Sequence, residues 1–269
     1  MTGAFATATA VESLGDGAWR SVIDTSWSAP NGPNGGYLAA IVLRALVAEV
    51  DDARRPARSI TCHYLRPPAA GEVRIEVCEE RAGRSVSALS ARLLQDDRLC
   101  VVALAAFAVD REGAADYAAT APDVPPADEV AVAVPPEQAP PMVHNFEVRP
   151  AIGPRPFSGA DEAVTGGWIR LAQAHPVDAP ALAMYADAWL PAPFTRMVEP
   201  VAAPTIDLTV HFRAPAVAAT LAPDTSLLAV FRSTTSAEGF FEEDGEIWSP
   251  DGVLLAHSRQ LALLVGAGR

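Results

Sequence analysis

The chain is short of cysteine, of positive charge and of long apolar runs, and each shortage closes off a class of function. Cysteine occurs only at Cys62, Cys78 and Cys100, all inside strand-like stretches. An odd number so placed fits reduced core thiols in a cytoplasmic protein better than a disulfide framework. Twenty Lys and Arg stand against 33 Asp and Glu, a net charge of −13. That balance excludes the clustered cationic footprint of a nucleic-acid binder, and any anionic ligand needs a locally basic site. No segment approaches the ~18 uninterrupted apolar residues of a membrane span. Met1 to Ala10 lacks the basic start and apolar core of a signal peptide. The five histidines, His63, His144, His175, His211 and His257, are scattered, which argues for no metal centre. There is no Gly-x-Ser-x-Gly elbow, no glycine-rich phosphate loop ending in Lys-Ser or Lys-Thr, and no His-Glu-x-x-His.

What is present is a plan stated twice. With 50% hydrophobic residues the chain can bury a full core, as one large domain or two small ones. In the first half Tyr64-Leu65-Arg66-Pro67 ends a strand, two strand-like runs follow, and a turn at Asp96-Asp97 leads into Leu99 to Phe107. In the second half His211-Phe212-Arg213-Ala214-Pro215 ends a strand, two runs follow, and Pro250-Asp251-Gly252 leads into Val253 to Val265. The offset from Arg66 to Arg213, roughly 150 residues, is too long for a solenoid period and indicates a duplicated domain. Packed duplicates place a site near their seam.

Each half also carries one apolar helix. Asn31 to Gly36 is a turn-rich loop feeding Tyr37 to Val50, which is apolar on nearly every face and therefore buried. In the second half Asp178 is a good N-cap, Pro180 fits the first turn, and Ala181 to Leu190 is apolar until Pro191 stops it. Between the halves, Asp110 to about Met142 is rich in Pro, Ala and acidic residues and reads as a linker. The expected organisation is an N-terminal unit over residues 1–112, a linker over 113–145 and a C-terminal unit over 146–269 carrying the polar site.

Three polar residues of the second half interrupt apolar elements. Asp187 is the only charge between Ala181 and Leu190, and a lone carboxylate on a buried helix needs hydrogen-bond partners. Thr205 opens the strand running to Val210, and Gln260 interrupts the last strand. Singly, each fits an ordinary solvent-facing position. Together they supply an acceptor, a hydroxyl and an amide, enough to hold and polarise one water. Superposing the halves on Arg66 and Arg213 sets Asp187 against Ala40 and Thr205 against Arg58; superposing Asp97 on Asp251 sets Gln260 against Ala106. The polar set is thus expected once, not twice. Gly35-Gly36 is most simply a turn; its functional reading is an oxyanion site, where glycine lets an oxygen approach the free N–H groups at the helix start.

In its order of motifs the chain resembles the acyl-CoA thioesterase II family of double-hotdog enzymes over nearly its full length. The stretches that carry the likeness are Asn34-Gly35-Gly36, Tyr64-Leu65-Arg66-Pro67, Ala186-Asp187, Thr205-Ile206-Asp207, Thr234-Thr235-Ser236, and Asp251-Gly252-Val253-Leu254 running on to Gln260. The resemblance implies an α+β double hotdog, two antiparallel sheets each wrapped around a buried helix. It also implies water-mediated hydrolysis of an acyl-CoA with no cofactor. By motif it gives the hydrolytic water to Asp187, Thr205 and Gln260, with Thr234 and Thr235 competing for the hydroxyl role. Arg66, Arg84, Arg213, Arg232 and Arg259 are the candidates for the CoA phosphates. Unpaired sheet edges would favour a homo-oligomer. The alternatives are a non-catalytic acyl-thioester binding protein and a hotdog hydratase, the latter needing a histidine beside the Asp.

Overall fold

The computed structural model describes residues 3–266. Its strands are β1 (Glu12–Gly15), β2 (Ala18–Ile23), β3 (Ser28–Ala29), β4 (Gly32–Pro33), β5 (Ala57–Tyr64), β6 (Gly71–Ala82), β7 (Val86–Gln95) and β8 (Arg98–Ala108) in the first half. The second half contributes β9 (Phe146–Ile152), β10 (Val164–Leu171), β11 (Thr205–Phe212), β12 (Leu227–Arg232), β13 (Ser236–Ala237), β14 (Phe240–Trp248) and β15 (Leu254–Leu263). The α-helices are α1 (Ala4–Ala8), α2 (Gly35–Val50), α3 (Ala179–Tyr185) and α4 (Pro215–Ala218).

The antiparallel sheets of the two halves, expected to join edge to edge, form one continuous sheet. Its order is β1-β2-β6-β7-β8-β5-β11-β15-β14-β12-β10-β9, with β13 attached to β14 and β3-β4 a separate ribbon. The second block reads as the first reversed: β11 stands where β5 does, then β15 for β8, β14 for β7 and β12 for β6. The blocks fuse because β5 and β11 pair antiparallel, from Asp207 opposite His63 to His211 opposite Ser59. Each strand would otherwise leave a row of unpaired backbone groups, and joining them removes both edges. Thr61 and Thr209 face each other across this seam with their hydroxyls 2.9 Å apart.

Alternation decides which face is the core. Ile60 and Cys62 on β5, Val101, Ala103, Ala105 and Phe107 on β8, and Leu208, Val210 and Phe212 on β11 are buried, while their neighbours along the strands, Cys100 excepted, are not fully so. On that face α2 packs against β5 to β8, α3 against β11, and the two helices against each other. Cys62 and Cys100 are core thiols as expected, but Cys78 is exposed on β6.

Local chemistry sets the helix limits. The Asn34 side chain caps α2 by accepting from Tyr37 N (3.0 Å), and Asp51 ends it in the left-handed conformation at φ 42°. Asp178 caps α3 by accepting from Ala181 N (2.9 Å). This second helix is shorter than the sequence suggests, closing at Tyr185 instead of Leu190. Past it the Trp189 indole N–H is drawn to Thr165 Oγ1 (2.8 Å), and Pro191 disfavours helical backbone at Leu190. Asp187 therefore lies in the turn after α3.

Between Ala108 and Pro141 the only regular piece among the described residues is a short 3-10 turn, Ala127–Glu129. The segment is nonetheless docked. Ala121, Val124, Ala127 and Val130 pack on Trp168, Leu228, Val230 and Trp248, a small second core on the sheet face away from α3. The Trp168 indole N–H donates to Pro125 O at 2.9 Å.

Candidate active site

Asp187 meets the start of α2. Its Oδ2 accepts from Gly36 N (2.9 Å) and from Asn34 Nδ2 (2.9 Å), and Asn34 Nδ2 also donates to the Asp187 carbonyl (2.8 Å). One asparagine thus caps α2 and clamps Asp187, tying the halves at a single point. The helix end favours an anion there. No hydrogen bond from the described residues reaches Oδ1, which keeps the lone pair a base needs. Burial outweighs the donors from Asn34, Gly35 and Gly36 and pushes the Asp187 carboxyl up to about 6.

The closeness of this contact explains the glycine pair. A Cβ on Gly35 would lie 2.9 Å from Asp187 Oδ2 and 3.2 Å from the Tyr64 hydroxyl. On Gly36 it would lie 2.9 Å from the carbonyl oxygens of Ala183 and of Met184. The expectation of a free oxyanion donor at Gly36 needs correcting, because that N–H is already given to Asp187.

Thr205 and Gln260 are hydrogen-bonded to each other. Thr205 Oγ1 donates to Gln260 Oε1 at 2.9 Å, and Gln260 Nε2 donates to Glu243 Oε1 at 2.7 Å. Glu243 Oε2 accepts from Ala192 N at 2.5 Å. The relay runs across β11, β15 and β14, with Glu243 directly opposite Gln260. Glu243 is only 3% exposed, and burial, aided by the charges of Asp187 and Glu242, pushes its carboxyl up to about 8.

Sequence reasoning missed Glu243, Tyr64 and the clamp role of Asn34. Tyr64, whose hydroxyl donates to Gly35 O (2.8 Å), stands beside Asp187, and burial raises its pKa. A signal for Glu243 existed: Phe241, Glu243, Gly245 and Ile247 share the buried phase of β14, so the glutamate breaks an inward alternation. Thr234 and Thr235 drop out as rivals to Thr205. They sit in an exposed turn, bound to Glu242 Oε1 through both backbone N–H groups and the Thr234 hydroxyl.

The five arginines do not converge. All are exposed. Because β5 and β11 are antiparallel, Arg66 and Arg213 leave the seam at opposite ends, and only Arg66 lies toward the Thr205 end. Arg232 pairs with Glu246 (3.5 Å) and Arg259 with Asp244 (3.6 Å), while Arg84 sits in the β6–β7 turn. No His is among the hydrogen-bond partners of Asp187 among the described residues, and no group of His, Cys, Asp and Glu there could hold a metal ion.

A carboxylate under a helix end and a hydroxyl–amide relay in the same half are groups that a hydrolase can use to hold and activate a water. Comparison gives that class its family. The acyl-CoA thioesterase N-terminal domain matches residues 23–108 and the acyl-CoA thioesterase C-terminal domain matches residues 120–264. The chain belongs to the acyl-CoA thioesterase family and is a thioester hydrolase. A conserved hot dog fold protein of unknown function from Alicyclobacillus acidocaldarius is 30% identical, with 100% of each chain covered and a TM-score of 0.92. Acyl-CoA thioesterase II TesB2 from Mycobacterium marinum shares the fold at 21% identity and a TM-score of 0.80, over 99% of this chain and 100% of that one. The tesB protein of Mycobacterium avium subs paratuberculosis does so at 23% identity and 0.80, with the same coverage of 99% and 100%. Among curated proteins, none gives a significant match.

Proposed function

We propose that Asp187 is the general base of thioester hydrolysis and that Thr205 and Gln260 hold the attacking water. The observation that carries this is the Asp187 carboxylate itself: Oδ2 is fixed by Asn34 and Gly36 while Oδ1 accepts from none of the described residues. Water oxygen adds to the acyl carbonyl as its proton passes to Asp187, the carbonyl electrons move onto oxygen, and collapse expels the thiolate. The carboxyl proton then goes to the departing sulfur. The N-terminus of α2, whose Gly35 and Gly36 N–H groups face Asp187, supplies positive potential for the developing oxyanion.

The finer reading follows. The chain is two hotdog units, residues 1–112 and 146–269, joined by the linker 113–145, each unit's strands backing one helix. CoA enters at the Thr205 end of the seam, where Arg66 meets its phosphates. The enzyme works in the cytoplasm in lipid metabolism, consistent with its free thiols, and the exposed edge strands β1 and β9 suit a homo-oligomer. No helix among the described residues is long and apolar enough to cross a membrane.

Thiol release from a panel of acyl-CoAs tests the reading. Asp187→Asn keeps the shape and removes the base, so kcat falls by about 10²- to 10⁴-fold with an unchanged melting temperature. In the same assay Arg66→Gln raises KM for acyl-CoA and leaves kcat alone. Wild-type turnover in a folded Asp187→Asn variant would refute the assignment.

A further inference from the structure

Glu243 is a carboxylate on the apolar phase of β14, and among the described residues no cation pairs with it; its hydrogen bonds come from Ala192 N and Gln260 Nε2 alone. Burying such a group is unfavourable, and a glutamine would fill the same space without the charge. Its use lies in what it forces on Gln260. The two ends of an amide have nearly the same shape, so its partners decide which end points where.

We propose that Glu243 is a positioning residue that fixes the orientation of the Gln260 amide and thereby makes Thr205 a hydrogen-bond acceptor toward the attacking water. This rests on the reading of Asp187, Thr205 and Gln260 as the water site. Both oxygens of Glu243 act as acceptors, Oε2 from Ala192 N and Oε1 from Gln260 Nε2 (2.7 Å), so the amide turns its own Oε1 to Thr205. The Thr205 hydroxyl must then give its one proton to Gln260 Oε1, at 2.9 Å, and what Oγ1 presents to the site is lone pairs. A water between Thr205 and Asp187 donates one proton to each and keeps its own lone pair for the acyl carbon. With the amide reversed, Gln260 would donate to Thr205, the hydroxyl would donate to the water, and one of the water's two lone pairs would be tied up, leaving its oxygen a poorer nucleophile. The backbone N–H of Ala192 on Oε2 holds the carboxylate in place so that the polarity has a fixed origin.

Glu243→Gln tests this. The new amide still accepts from Ala192 N–H, presents its own NH₂ to Gln260 and reverses it. The variant loses a buried charge, so it melts no lower than wild type. The expected result is a loss of kcat of about 10- to 100-fold, within the scale of a positioned hydrogen-bonding group, with KM for acyl-CoA within about twofold of wild type. Measured on a Gln260→Ala background, the same change has no further effect on kcat, because its intermediary is gone. Unchanged kcat in Glu243→Gln, or an equal loss on both backgrounds, overturns the proposal. Asp187→Asn, assayed in parallel, separates the two failures. If it keeps full turnover, the water-site reading falls and this inference with it; if it is inactive while Glu243→Gln is not, only the inference falls.

Discussion

Desolvation and donated hydrogen bonds pull Asp187 in opposite directions, and desolvation wins, leaving the carboxyl at about 6. A base works only when deprotonated, so kcat/KM should rise with pH through about 6 and flatten above it. A pH profile of thiol release reads this directly; a limb near 4, where an unperturbed aspartate titrates, would show that the acting base lies elsewhere. The same residue shows what sequence makes legible. Asp187 stood out as the one charge in an apolar run, and Thr205 and Gln260 as polar interruptions of strands. Glu243 did not, because it stands in Glu242-Glu243-Asp244, where an acidic run looks like a solvated edge until strand phase separates the inward residue from its outward neighbours.

The helices meet end to side, and the contact tolerates no side chain. Gly36→Ala sets a Cβ 2.9 Å from two backbone carbonyl oxygens of α3, atoms that cannot swing away. We expect a loss of about 1–3 kcal/mol, the usual effect of overpacking, seen as a lower denaturant midpoint. Activity should fall further than stability, since the separation of α2 from Asp187 weakens the Gly36 N–H contact. Undiminished stability would mean the helices part freely. From sequence the pair read as a turn or an oxyanion step, and neither reading contained the crossing. The length of α3 was also misjudged, since an apolar run reports burial and not helicity; Trp189 finding Thr165 is a tertiary event with no local signal. By contrast, the end of α2 at Val50 was legible from its apolar stretch, while its start falls at Gly35, two residues before the Tyr37 the sequence suggests.

The doubled plan was the most legible feature of the whole molecule, because strand-ending arginines and turn positions recur in order. That the two sheets join edge to edge was also expected from the matched plan; which strands make the join, β5 and β11, was not written in either strand. The outcome at this scale is a chain that carries two carboxyl groups held above their ordinary range, and its stability should register them. Asp187 at about 6 and Glu243 at about 8 both lie above their unfolded values near 4. Between those limits the folded state binds more protons than the unfolded chain, so their contribution is destabilising and grows as pH rises from about 4 to about 8, then levels off. Glu243→Gln removes the larger part. The unfolding free energy of wild type minus that of the variant should therefore decline by a few kcal/mol over that range, on the order set by the linkage of pKa to stability. Urea unfolding of both proteins at a series of pH values measures the difference. Parallel curves would show that Glu243 titrates in the folded protein as it does in the unfolded chain, and that the interior it occupies is wetter than its hydrogen bonds imply.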